Sequence, residues 1–279
     1  MQVQMNKKKI ILCLFGTIPR SIKYTYNSIK KHIIDALKEN NYILEIFVFN
    51  LNTSNNKVDG KILNQADISI IPYDYYEEHN QTILDKELDN LYKRIKVSFI
   101  NYYSQTSTIN AIRQMYSEYR VGLFLEKNQY KFDIAIVCGP DFHIANKINI
   151  HDIENAYINN NFYTTLVNEG YGYTNGFYIG RPKILVKPLK RFQSIYKYLP
   201  TDKDYEYLLK QSIIENNITK NVIKIVFFKR RANDTFSWDG NISYLNESEK
   251  EEVKNEYKRL ISYGYKFENM YNKMIELNK

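Results

Sequence analysis

The chain has 279 residues, 44% of them hydrophobic and 15% aromatic, with a formal net charge of +8. That length and apolar fraction exclude a disordered chain and suffice for one sizeable core. Its basic residues are dispersed rather than gathered into a patch with interleaved aromatics, so the charge favours an anionic ligand and argues against nucleic acid.

Residues 10–15 form a continuous apolar run ending at Gly16, which predicts a central strand of a parallel sheet. The preceding Lys7, Lys8 and Lys9 mimic the start of a signal peptide, but six apolar residues are too few for its core. Ile22, Tyr26, Ile29, Ile33 and Leu37 recur at helical spacing, and His32 falls toward solvent. Residues 44–49 read as a second strand, 50–64 as an Asn-rich surface loop, and "ADISIIP" (66–72) as a third strand stopped by its proline.

Leu84, Leu88, Leu91 and Ile95 mark one helix; Ile109, Ile112, Tyr116 and Tyr119 mark another. A fourth strand, 132–137, lies within "YKFDIAIVCGPDF". Beyond it, "YTTLV" and "GFYIG" are short and strand-like, 181–199 is a helix with Pro182 in its first turn and a break at Pro188, and 202–217 is a further helix. Residues 222–228 are a last strand, and 247–277 are one or two amphipathic helices. Strands alternating with helices predict an α/β fold in one domain, with a mainly parallel central sheet flanked by helices and a helical C-terminus. The two cysteines, Cys13 and Cys138, sit in strand runs as buried free thiols. No segment is long and apolar enough to span a membrane, and the expected compartment is the cytoplasm.

Ligands of open α/β sheets bind at the carboxyl ends of the strands. The first strand runs into "FGTIPRS" (15–21), where Gly16 permits a tight turn and Arg20 and Ser21 stand at a helix start, an arrangement suited to an anion. The same residues also fit a plain loop with Ser21 as helix cap. The fourth strand runs into Gly139, Pro140 and Asp141, either a simple turn or a carboxylate for a divalent ion at a leaving diphosphate. "NEGYGYTNGFYIG" (168–180) sets Glu169 and Asn175 among four glycines and four aromatics, a composition that suits a carbohydrate, with Glu169 a candidate base. His143 and His151 flank the Asp141 loop, and Lys229, Arg230 and Arg231 stand at a strand end where they could neutralise phosphates. Neither GxGxxG, GxxxxGK[ST] nor GxSxG occurs, which argues against dehydrogenases, P-loop NTPases and α/β-hydrolases.

In order, "FGTIPRS", "YTYNSIKKHII", "LEIFVFN", "RQMYSEYRV", "YKFDIAIVCGPDF", "TNGFYIG" and "DYEYLLKQSIIENNI" resemble the motif series of a glycosyltransferase family. That family occurs in large DNA viruses and some microbes, has a GT-A-like (Rossmann-like) fold, and is distantly similar to lipopolysaccharide-synthesis transferases. The resemblance spans residues 8–231. It implies a transferase domain over 1–245, with 246–279 as a helical extension packed on it, in the cytoplasm, that of the host or its virus factory if the source is viral. It also implies transfer of a hexose from a nucleoside-diphosphate sugar of the UDP-sugar kind to a hydroxyl of a glycan or glycoconjugate.

The donor would lie across the first and fourth strand ends. Phe15, Gly16, Thr17, Arg20, Ser21, Arg113, Tyr116, Gly139 and Asn175 would contact it. Asp141 would approach the diphosphate, holding Mn²⁺ or Mg²⁺, and Glu169 would serve as base. The chain departs from the family at Gly139, where the family has arginine, and at Asn175, where it has an acid. Those departures support a second reading, a non-catalytic nucleotide- or carbohydrate-binding protein.

Overall fold

Side chains of the first strand divide between two apolar layers. Ile10, Leu12 and Leu14 pack on one side of the sheet, and Ile11, Cys13 and Phe15 on the other. A continuous apolar run is the sequence form of a strand covered on both faces. The computed structural model describes residues 7–53, 57–58, 61–98, 105–165, 172–198, 205–230, 234–239 and 242–268.

In chain order, β1 (Lys9–Gly16) leads through a 3-10 turn, Ile18–Arg20, into α1 (Ile22–Ile29). A π-helical turn, Lys30–Ile34, joins α1 to α2 (Asp35–Glu39), and it carries His32 inward, 4% exposed, rather than toward solvent. Next come β2 (Ile43–Asn52), the small hairpin β3 (Lys57–Val58) and β4 (Lys61–Ile62), and β5 (Tyr75–Asn80). The expected strand at 66–72 is instead a 3-10 helix, Gln65–Ile70, capped by the Asn64 side chain. Ile68 and Ile71 are buried there while Ser69 and Ile70 are not, which is a turn of three residues, not alternation. The strand that pairs with β2 is the polar β5 that follows.

Helices α3 (Gln81–Glu87), α4 (Asp89–Ser98) and α5 (Gln105–Lys127) precede β6 (Ile134–Cys138) and β7 (Phe142–Ile144). Then follow α6 (Ile150–Asn159), β8 (Phe162–Thr165), β9 (Phe177–Gly180), α7 (Pro182–Leu189) and α8 (Tyr205–Glu215). Pro188 stands at the end of α7, and the chain continues as a 3-10 helix, Lys190–Tyr198. The expected strand at 222–228 is two: β10 (Lys220–Ile223) and β11 (Phe227–Arg230), which enter different sheets. β12 (Thr235–Asp239), α9 (Glu247–Ser262) and β13 (Lys266–Glu268) complete the described chain. Of the helices expected over 247–277, the described part is α9, stopped near Gly264 (φ +83°) and followed by a strand, while 269–277 lie outside the described residues.

The central sheet has seven strands in the order β10-β8-β9-β6-β1-β2-β5. All its pairs are parallel except those of β9, which runs against both β6 and β8. Helices α1, α2 and α6 cover one face, and α5, α7 and α8 the other. This is the α/β class expected from the sequence. A second sheet, β13-β12-β11-β7, branches from the end of β6. Val253 and Leu260 of α9 pack on its Phe228, Phe236 and Trp238.

Candidate functional site

The carboxyl ends of β1, β2, β5 and β6 open on one cavity of about 340 Å³. β1 and the turn after it contribute Phe15, Gly16, Thr17, Arg20 and Ser21. Leu51 comes from β2, Gln81 follows β5, and Gly139, Pro140, Asp141 and Phe142 follow β6. Asn110, Arg113, Gln114 and Ser117 form a wall from one face of α5, and Lys229 and Arg230 of β11 close the far side.

Local chemistry sets these loops. Gly16 has φ +115°, a region that favours glycine, and a Cβ there would lie 3.7 Å from Pro140 Cδ. Asn50 stands opposite Gly16 in the β1–β2 register. Its Oδ1 accepts from Ile18 N at 3.2 Å, and its Nδ2 donates to Glu78 Oε2 at 2.8 Å. Asn50 is thus a fully buried strap on the turn after β1, not a surface-loop residue. Thr25 Oγ1 of α1 donates to Pro140 O at 2.6 Å, and Ser28 Oγ accepts from Ile144 N at 3.0 Å, so α1 holds both ends of the Asp141 loop. Gly139 N donates to Gly176 O at 2.8 Å, extending the β6–β9 pairing to the cavity edge.

Of the sequence-proposed residues, Phe15, Gly16, Thr17, Arg20, Ser21, Arg113, Gly139 and Asp141 come together in this cavity. Tyr116 does not line it. One step before Ser117 on α5, it is turned off the cavity face, and its hydroxyl lies 2.7 Å from His79 Nδ1. Asn175 is 4% exposed, with Nδ2 lacking a hydrogen-bond partner, and it is the following residue, Gly176, that reaches the cavity. Glu169 lies outside the described residues. Arg113 is held by both Asp85 oxygens, at 3.0 and 2.6 Å, and by Asn110 at 3.0 Å. Gln114, Ser117 and the positioning residues Asn50 and Thr25 were not singled out from sequence. Their only signal was polarity at positions where a strand end or an apolar helix stripe should be buried.

Cationic side chains outnumber carboxylates in the cavity lining. Asp141 is the one carboxylate among its described lining residues, against Arg20, Arg113, Lys229 and Arg230. Divalent magnesium or manganese needs several oxygen ligands. Among the described residues no three His, Cys, Asp or Glu side chains converge to hold a metal. His143, two positions from Asp141, does not supplement it: its Nε2 lies 2.5 Å from Glu256 Oε1 and its Nδ1 3.3 Å from Tyr24 O. His151 is exposed on α6. Among the described residues, one carboxylate beside four cationic side chains does not fit a divalent-ion site.

No protein-family model matches the chain, and no curated protein matches it. Among solved structures it is similar to mouse xyloside xylosyltransferase 1, with TM-score 0.41 and 8% identity over 77% of this chain and 84% of that one. It is also similar to a protein described as a glucose-1-phosphate thymidylyltransferase from Bacillus anthracis, solved with sucrose. There the TM-score is 0.36 and the identity 12%, over 80% of this chain and 89% of that one. At such scores the likeness carries no argument about chemistry. Among the described residues no helix is long and apolar enough to cross a membrane.

Proposed function

We propose that the protein is a glycosyltransferase that moves a sugar from a nucleoside-diphosphate donor to a hydroxyl of a glycan or glycoconjugate. The observation that carries this reading is the convergence of four neighbouring parallel strand ends on one cavity whose described lining holds four cationic side chains and one carboxylate. Such strand ends are where α/β sheets bind ligands. The residue order of the family the sequence resembles, and the reversed β9 within an otherwise parallel sheet, support the GT-A-like assignment. The transferase unit is assigned to 1–245 and the C-terminal extension to 246–279, of which α9 packs on the second sheet.

In the proposed reaction the bond from the anomeric carbon to the β-phosphate oxygen breaks, and its electron pair leaves with the nucleoside diphosphate. The acceptor oxygen bonds to the anomeric carbon, and its proton passes to a base, the role assigned to Glu169. The nucleotide would occupy the turn at Gly16, Thr17, Arg20 and Ser21, with Asp141 accepting hydrogen bonds from donor hydroxyls. Positioning and charge stabilisation would supply most of the rate.

A second reading, a binding protein without turnover, is favoured by the absence of any carboxylate but Asp141 among the described cavity residues. Incubation with UDP-, GDP-, ADP- and dTDP-sugars, followed by chromatography for released nucleoside diphosphate, separates the two. A transferase releases the diphosphate slowly from one donor, and Asp141→Ala abolishes the release. Binding without release supports the second reading, and no binding of any nucleotide sugar refutes both.

A further inference from the structure

We infer that Lys229, rather than a divalent ion, is the counter-charge for the leaving diphosphate. This inference rests on the donor-site reading above and names the group that makes the site work. Four cationic side chains line the cavity, and three are already engaged. Arg113 is clamped by Asp85 and Asn110. Arg230 is 5% exposed, pairs with Asp234 at 2.6 Å, and lies over the rings of Tyr24, Phe236 and Tyr265. Arg20 has a partner of its own within the fold. Lys229 differs. It is half-buried, it has no carboxylate partner among the described residues, and its one ring contact is with Phe142, 5.5 Å from Nζ to centroid.

The fold sets the strand that carries Lys229 against the loop that carries Asp141, and both residues line the cavity. Lys229 pairs with Phe142 in the β11–β7 register, and Arg230 N donates to Asp141 O at 2.8 Å. Phe142 is itself stacked on Phe227, with centroids 4.0 Å apart. The strand that carries the lysine and the loop that carries the carboxylate are therefore one rigid ladder at the cavity mouth.

A carboxylate there suits the sugar hydroxyls, while an unpaired ammonium suits the β-phosphate. When the anomeric C–O bond breaks, negative charge grows on the β-phosphate oxygen. The Lys229 ammonium stabilises that charge by a charge-assisted hydrogen bond. Gly139 is part of the same arrangement. A Cβ at that position would lie 3.1 Å from Asp141 Oδ1, so glycine leaves the carboxylate its place and adds no second charge.

The test is calorimetric titration of the full chain with UDP, GDP, ADP and dTDP and with the matching nucleosides, first in EDTA and then with Mn²⁺. The expected result is that one diphosphate binds in EDTA and that Mn²⁺ changes its Kd little. Lys229→Met should weaken the diphosphate by about tenfold to a hundredfold while the nucleoside Kd holds, as loss of one charged hydrogen bond requires. Lys229→Arg should recover most of the loss. Unchanged melting temperature for both variants excludes misfolding, because Lys229 makes no ion pair among the described residues that the fold would miss. Binding that appears only with Mn²⁺, or equal diphosphate affinity in wild type and Lys229→Met, overturns the inference and leaves the donor-site reading standing. Absence of binding by every nucleotide overturns both.

Discussion

Thr25 Oγ1 donates a 2.6 Å hydrogen bond to the carbonyl oxygen of Pro140, tying helix α1 to the loop that carries Asp141. The bond is buried on the helix side, where Thr25 is fully inaccessible. Thr25→Val keeps the shape and removes the donor, leaving the Pro140 carbonyl short of a partner. The expected cost is about 1 to 2 kcal/mol, a fall of roughly 2–4 °C in Tm for a domain of this size. Nucleoside diphosphate affinity should fall further than the stability loss explains, because the loop is freed. Differential scanning fluorimetry and titration on the same sample check both, and an unchanged Tm would remove Thr25 from the support of the site.

Gly176 combines φ +89° with a close approach: a Cβ there would lie 2.8 Å from Phe142 Cζ. Neither backbone nor neighbour readily accommodates a side chain, since Phe142 is stacked on Phe227 and lines the cavity. Gly176→Ala should therefore cost roughly 2–4 kcal/mol, the sum of a left-handed backbone and an overpacked contact. Urea denaturation measures it. A cost below about 0.5 kcal/mol, the range of an ordinary surface substitution, would mean that Phe142 moves aside and the cavity wall is soft.

The sheet was legible where both faces of a strand are apolar. β1, β2 and β6 each read as uninterrupted runs because they sit mid-sheet, and α1 and α5 showed through helical spacing. β5, "YYEEHN", was not legible: it is an edge strand whose inward positions, Tyr75, Glu77 and His79, are only half-buried and mostly polar, so no apolar alternation marks it. "ADISIIP" misled because a short apolar run fits a strand or a tight helical turn equally well. At the site, Gly16 and Asp141 were visible as breakers after strands. Asn50 was not, because an asparagine that ends a strand looks like one that begins a loop. Only its partners, Ile18 N and Glu78, both distant in sequence, distinguish the two.

His32 and Glu256 set the response to acid. Burial, helped by Lys31, lowers His32 to about 4, so the folded protein keeps it neutral while the unfolded chain protonates near 6.5. The unfolded state then binds more protons between those values, and stability falls as pH drops through that window, by on the order of 3 kcal/mol in full. Burial pushes Glu256 up, but hydrogen bonds from His143 and Arg259 outweigh it and hold the carboxyl at about 2. Its contribution, present above 4.5, is lost as pH falls from 4.5 toward 2. Melting temperature should therefore decline continuously below pH 6.5, first through His32 and then through Glu256. His32→Leu should flatten the first part of that curve and leave the second. A parallel decline in the variant would show that other groups govern the upper window.

Beneath the cavity wall, Arg191 Nη1 meets Glu118 Oε2 at 2.6 Å, with the two side chains 1% and 0% exposed. Glu118 Oε1 also accepts from Gln114 and from the Tyr178 hydroxyl, each at 3.1 Å, and that hydroxyl accepts from Gly176 N at 2.9 Å. One buried polar chain thus links the 3-10 helix at Arg191 to two residues of the cavity. Removing one charge strands the other, so Arg191→Met should destabilise by about 3–5 kcal/mol. The double variant Arg191→Met, Glu118→Leu should recover much of that stability, since a well-packed apolar pair can replace a buried ion pair. It also deprives Gln114 and Tyr178 of their acceptor, so nucleotide affinity should stay low although the fold is restored. Urea melts of the two variants beside titration of the double variant separate the roles. Full recovery of affinity would mean that the network serves stability alone.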